Sequence, residues 1–308
     1  MGSNLFRGSE CISLQIKIFL YFYPVQSLVV VETIYSAYQH QSAQFEPEQV
    51  RNNSLRLLMR PNLLQYAVLS EAGKILAAKE YRSKIDLDYS DFFDAVYAQD
   101  YFLKEDYASI RVINGTLEFS LIPTRLFQPK QVKEFAGALI KESFEVDHLD
   151  YRNMDAGHAT AIFTVPFPVK QKCDFYLEAP EYVPFCLPAI NLAVALADTY
   201  PDLILVHIFA GEFVLTGLKA GNLHICNAYN YVGVTDIVYF VQLVMDTLKQ
   251  DPKSTQVLAI GEFELESELL RQLRKYIPGI EVPQKALTDC FVTRSEKLPT
   301  WRYAYLTY

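Results

Sequence analysis

Two stretches of the chain, 148 residues apart, are alike. Ala72–Tyr81 reads AGKILAAKEY and Ala220–Tyr229 reads AGNLHICNAY, with three of ten positions identical. The same layout precedes each: a short apolar run, a break, a second apolar run, then an Ala-Gly turn. The runs are Leu55–Met59 and Leu63–Leu69 in the first copy, Leu203–Phe209 and Phe213–Leu218 in the second. A period this long excludes a solenoid, whose repeats recur every 20–50 residues or so. It predicts two related lobes, each opened by a three-stranded meander, with any functional site between them.

The remaining punctuation fits this plan. Arg60-Pro61-Asn62 and Glu71-Ala72-Gly73 are turn sequences between strands. Asp88-Tyr89-Ser90 caps a helix from about Asp91 to Phe102. Asn114-Gly115 is a strong hairpin dipeptide and predicts a hairpin of Ser109–Ile113 with Thr116–Ile122. Pro129 opens a helix, Ala159–Val165 is a strand, and Pro188 opens the apolar helix Ala189–Ala197. After the second meander, Thr235 caps a helix over Asp236–Lys249. A strand over Thr255–Ile260, a helix over Glu264–Tyr276 and a short strand over Ile280–Val282 follow. The second half reads β-β-β-α-β-α-β and the first half begins alike, which predicts an α/β fold with mixed sheets. The expected division is an N-terminal extension and linker over 1–53, a first lobe over 54–200, a second over 201–283, and a tail over 284–308. That tail ends in Trp301, Tyr303, Tyr305 and Tyr308 and is expected to pack back onto the body.

Composition narrows the function. The 308 residues are 51% apolar and carry a net charge of −8, which supports a folded core and argues against a nucleic-acid surface. Five widely spaced cysteines without a C-x-x-C predict thiols in a reducing compartment, the cytoplasm, and no metal site. The apolar stretch 11–31 is interrupted by Lys17 and Pro24, so a membrane span is not expected unless that stretch inserts. Only 12 glycines are present, and phosphate cradles need glycine to let backbone N–H groups approach the ligand.

A β-β-β-α-β-α half repeated in one chain resembles the actin-like ATPase superfamily, with its ribonuclease H-like lobes. Residues from about 55 to 282 are similar to a bacterial family of unknown function assigned to that superfamily. The stretch ILVHIFAGEFVLTGLKAGNLHICNAYNY, the helix after it, TQVLAIGEF and ELLRQLRKY carry the likeness. The resemblance implies phosphate loops of the form Asp-x-Gly in the first hairpin of each lobe and a later Gly-Gly pair against adenosine. This sequence departs at each place. The first hairpin has Arg60, Pro61 and Asn62. The second has His207 and Phe209 where Asp and Gly are expected. Gly261 stands alone between Ile260 and Glu262. Glu212 and Glu262 would repel phosphates.

The candidate cleft residues are therefore Arg60, Asn62, His207, Gly211, Glu212, Gly261 and Glu262, with no catalytic residue among them. Arg60 reads most simply as an exposed turn arginine, with a phosphate or acidic partner as the alternative. His207, between Val206 and Ile208, reads as a satisfied, partly buried histidine. Gly211 reads as a hairpin glycine. Gly261 ends a strand, where α/β folds place ligand crevices. The expected function is a non-catalytic binding or assembly module without a cofactor, meeting an unknown protein partner. The alternative is an atypical ATPase or kinase that takes ATP with Mg.

Overall fold

A computed structural model of the chain describes residues 33–139, 148–293 and 299–308. The apolar stretch 11–31 lies outside them. Two sheets dominate. The first runs β1 (Ile34–Gln41), β4 (Ile75–Ser83), β3 (Leu63–Leu69), β2 (Ser54–Arg60), β5 (Ser109–Asn114), β9 (Glu181–Pro184). The second runs β12 (Asn222–Asn230), β11 (Glu212–Lys219), β10 (Leu203–Ile208), β13 (Gln256–Gly261), β14 (Ile280–Glu281). In each, an antiparallel meander presents its first strand to a parallel neighbour, β2 to β5 and β10 to β13. A second parallel strand follows in both, β9 beside β5 and β14 beside β13. The two meanders predicted from the repeat are thus topologically equivalent. Each even carries a register shift at the end of its second strand, at Val68/Leu69 and Gly217/Leu218.

Local chemistry explains the elements. β3 is buried along its whole length, as a central strand of apolar residues should be. The Ala-Gly turns work because Gly73, Ala220 and Gly221 take positive φ. The Asp88 carboxylate accepts from the N–H of Asp91 and starts α1 (Tyr89–Gln99), which buries Phe92, Phe93 and Val96. α5 (Val234–Leu248) buries Ile237, Val241 and Val244. Its first turn is closed by Asp236, which accepts from the N–H groups of Val232 and Gly233, and not by Thr235. Ser267 caps α6 (Glu268–Tyr276), so that helix starts later than expected.

Two expectations are corrected. The Asn114-Gly115 hairpin does not form. β5 lies between β2 and β9, while β6 (Phe119–Pro123) joins β8 (Ala159–Val165) and β7 (His148–Met154) in a separate sheet, order β6-β8-β7. Asn114 supplies its side-chain amide to Thr116 and to the Thr164 carbonyl, which turns the chain away from β5. Gly115 is needed for a close approach, since a Cβ there would stand 2.3 Å from the Met59 carbonyl oxygen. The segment before residue 53 is also not all linker. Ile34–Gln41 pairs antiparallel with β4 as an edge strand, and Tyr35 and Tyr38 among its mostly polar residues suit a largely exposed strand.

The third sheet, with α2 (Val132–Leu139) against β7 and β8, is an insertion into lobe I between β5 and α3 (Phe167–Tyr176). α4 (Cys186–Ala195) packs across β11 and β12 and leads the chain into lobe II. The cores are not separate. One apolar cluster runs from Leu58, Ala67 and Ile113 of lobe I through Tyr303 and Tyr305 of the tail to Leu205, Phe209 and Ile260 of lobe II.

Lobe I also contains a fully buried carboxylate. Asp100 accepts from the hydroxyls of Tyr66 and Tyr81 at 2.7 and 2.8 Å and lies 3.4 Å from the Lys79 ammonium. Asp100→Ala would leave both hydroxyls unpaired, which costs about 1–3 kcal/mol per group. A drop in the urea midpoint equivalent to about 3 kcal/mol is expected, with the slope of the transition unchanged.

Candidate functional site

The ends of the meander strands bring the candidate residues to the junction of the lobes. Arg60 closes β2 with its side chain only 8% exposed, so it is not an exposed turn arginine. One of its terminal nitrogens donates to the Gly115 carbonyl at 2.6 Å. The other donates to Glu212 of lobe II at 2.7 Å. The guanidinium lies 4.3 Å from the centroid of the Phe209 ring, a stacking arginine suits better than lysine. Arg60 therefore does find an acidic group, and that group belongs to the chain itself.

A second cross-lobe pair lies beside the first. Arg82 of β4 donates through Nε to Glu80 at 2.6 Å and through a terminal nitrogen to Glu262 at 2.9 Å. Glu80 is fully buried and also accepts from Gln65 at 2.8 Å and from the Tyr303 hydroxyl at 3.0 Å. Burial works against the charge of Glu80, but Arg82, Gln65 and Arg302 outweigh it and hold the carboxyl below its ordinary range. Burial wins at Glu262 and raises that carboxyl, against the pull of Arg82 and Arg60.

The tail completes the junction. Tyr305 donates to Gln65 at 2.7 Å and Trp301 donates through its indole N–H to the Phe263 carbonyl at 3.0 Å. Tyr303 stacks on Tyr38 of β1 with ring centroids 4.8 Å apart. Tyr303 and Tyr305 are wholly buried. The tail forms α7 (Thr300–Tyr303) and the turn after it, which lie between the lobes and contact β2, β3 and β13.

His207 sits in the same wall. Its ring stacks on Phe209 at 4.6 Å and meets the edges of Phe185 and Tyr305 at 4.7 Å each. It was expected to be partly buried and satisfied; it is fully buried, and neither ring nitrogen has a hydrogen-bond partner. Burial first, and then the Arg60 charge, push its pKa well below the ordinary 6.5, so the ring is neutral. Gly211 is a hairpin glycine with φ +76 and open space where a side chain would be. Gly261 takes φ +116, and a Cβ there would fall 2.1 Å from the Ile208 carbonyl oxygen. Its glycine serves a close approach of two strands. Asn62 turns outward with φ +57, donating to Asp86 and accepting from the N–H of Leu87. Six of the seven candidates thus gather at the junction and Asn62 lies at its rim. The residues not anticipated are Gln65, Glu80, Arg82 and Gly115. The one sequence signal for them is a glutamine, a glutamate and an arginine set within otherwise apolar meander strands.

Comparison with solved structures gives the fold its class. The chain is similar to a Bacteroides thetaiotaomicron protein with an actin-like ATPase fold and unknown function, at 13% identity and a TM-score of 0.66, over 79% of this chain and 95% of that chain. It is also similar to the PilM-PilN type IV pilus biogenesis complex, at 12% identity and a TM-score of 0.52, over 83% of this chain and 97% of that chain. The fold is that of the actin-like ATPases: α/β, with duplicated halves and mixed sheets. No curated protein sequence matches the chain. The family described as protein of unknown function DUF3822 matches residues 42–280, and the chain belongs to it.

Two outcomes follow from the geometry. Arg82→Ala strands the Glu262 carboxylate and removes one donor from Glu80, and breaking a buried pair costs about 3–5 kcal/mol. The exposed pair Arg51–Asp106 is a control, where Arg51→Ala should cost under about 1 kcal/mol. Urea midpoints of the two variants measure the difference. His207 has a folded pKa below its unfolded value of 6.5, so the unfolded chain binds the extra proton in acid. Its contribution is complete above pH 6.5 and declines by up to about 1.4 kcal/mol per pH unit below it. His207→Phe keeps the ring stack and removes the titration, so between pH 7.5 and 5.5 the wild type should lose more stability than the variant.

Proposed function

We propose that this protein is a non-catalytic member of the actin-like fold, acting as a binding or assembly module whose nucleotide site is degenerate. One observation carries the reading: the position between the lobes holds the chain's own charged pairs, Arg60–Glu212 and Arg82–Glu262. In an ATPase this position must receive three or more phosphate charges and a metal ion, which calls for backbone N–H groups and an acid to orient the metal. The first hairpin offers Pro61, which has no N–H. The second offers a neutral His207 without a free path to solvent. The carboxylates of Glu212 and Glu262 would repel phosphate, and the arginines that could attract it are already neutralised. Tyr303 and Tyr305 fill the space between.

A protein partner is the natural ligand class for such a module. One similar structure is a complex of PilM with PilN, so this fold accommodates protein association. The module is read as cytoplasmic. Four free cysteines among the described residues support a reducing compartment, and no described helix is long and apolar enough to cross a membrane.

Thermal unfolding of the full chain with Mg-ATP tests the proposal. A ligand at about 100 times its Kd stabilises by about 2.7 kcal/mol. No upward shift is expected at millimolar Mg-ATP, and no phosphate release above the buffer rate. A saturable rise in Tm, or hydrolysis lost in Arg60→Ala, would instead support the atypical ATPase.

A further inference from the structure

Among the described residues, the part-buried arginines meet carboxylates with one exception. Arg60, Arg82, Arg111, Arg152 and Arg302 each pair with a glutamate at 3.0 Å or less. Arg56 of β2 is also part-buried, and no described carboxylate pairs with it. Its Nε is buried without a hydrogen-bond partner. One terminal nitrogen reaches only the Ser109 hydroxyl, at 3.5 Å, which is too long for a good hydrogen bond. Burial first, and then the charge of Arg111, lower its pKa to about 10, while Glu181 pulls the other way. A guanidinium in such a place costs stability until an anion compensates it.

The sheet register explains the crowding. Arg56 is the partner of Arg111 across β2 and β5, and Arg111 is the partner of Glu181 across β5 and β9. Parallel neighbours stand about 4.8 Å apart, so the three side chains form a row on one face. Ser54 and Ser109 are partners two residues earlier on that face, with hydroxyls 2.8 Å apart. Arg152 of β7 enters from the third sheet. Both oxygens of Glu181 are occupied, one by Arg111 at 3.0 Å and the other by Arg152 at 2.7 Å. Arg111 also donates to the main-chain oxygen of Tyr308 at 3.4 Å. Three guanidiniums thus face one side-chain carboxylate, and even a carboxylate at Tyr308 leaves positive charge in excess. Ser109 is exposed, so the row opens to solvent on its serine side. Arg56 lies four residues before Arg60 on β2, about 13 Å from the lobe junction along the strand.

We propose that Arg56, Arg111, Ser54 and Ser109 form an anion site, separate from the lobe junction, that takes a phosphate group, free or esterified to a small molecule. Arginine presents its donors in a planar fork suited to oxyanions, and a phosphate supplies the charge that Glu181 alone does not. A tetrahedral phosphate has an oxygen for each guanidinium and one for the serine hydroxyls, which rotate to donate. A carboxylate offers two oxygens in one plane and leaves the serines unused.

Isothermal titration calorimetry of the full chain tests this with inorganic phosphate, glycerol 3-phosphate and acetate, each in chloride buffer at constant ionic strength. Saturable binding of phosphate or the monoester is expected, and the tighter of the two identifies the free ion or the esterified group as ligand. Arg56→Gln should weaken binding about tenfold or more, the loss of one charge-assisted hydrogen bond. Ser109→Ala, a change at an exposed position, should weaken it about threefold. Without phosphate, Arg56→Gln should melt no lower than wild type, because it removes a charge that Arg111 repels. Absence of saturable heat, acetate bound as tightly as phosphate, or an affinity unchanged in Arg56→Gln would overturn the proposal. So would a lower Tm of Arg56→Gln in chloride, which would mean that the charge is already compensated. Mg-ATP separates this site from the junction. A response lost in Arg60→Ala and kept in Arg56→Gln would sink the degenerate-site reading and leave the anion site standing, and the reverse pattern would assign the response to the anion site.

Discussion

The guanidinium of Arg60 is held by three surfaces at once: the Gly115 carbonyl of its own lobe, the Glu212 carboxylate across the junction and the face of Phe209. Each depends on something the rest of the fold supplies. The carbonyl is reachable because residue 115 has no side chain. Glu212 stands at the start of β11 because the β10–β11 turn is closed by Gly211. Phe209 is held flat by His207 stacked behind it. A buried guanidinium must be paired on every side or it costs more than it contributes. The lobes are therefore fixed at the one separation that satisfies it.

The second layer repeats the logic with longer reach. Glu80, Arg82 and Glu262 alternate in sign across the junction, and Gln65 and Tyr303 supply the remaining hydrogen bonds to Glu80. Such a network in low dielectric is strong when complete and costly when broken. Side chains from both lobes and from the tail bridge the junction.

The fold was largely legible because its signals were local or periodic. The two meanders, their Ala-Gly turns and the apolar stripe of α5 follow from turn chemistry and period alone. The failures were non-local. Asn114-Gly115 carries a hairpin signal, but the side chain of Asn114 is used by Thr164, fifty residues away, and β5 is claimed by parallel partners. Ile34–Gln41 is too polar to announce itself and becomes a strand because β4 offers an edge. At the junction, the departures from the expected Asp-x-Gly pattern at Arg60–Asn62 and His207–Phe209 were visible in the sequence. That Arg60 is buried was not, since its burial depends on a glutamate 152 positions away. The insertion of Tyr303 and Tyr305 between the lobes was hidden for the same reason.

Chain separation has a kinetic consequence. The contacts that join the lobes link residues 152, 180, 223 and 240 positions apart. The meanders close over a few residues each. Loop-closure entropy must be met before distant contacts return any energy, and such contacts form late. The sheets of the two lobes therefore assemble first, and the junction closes last by trapping charged groups that were still hydrated. For that interval Glu80, Arg82 and the tail aromatics are open to water and to neighbours, so the slowest stage of folding and the stage most exposed to misassembly coincide at the junction.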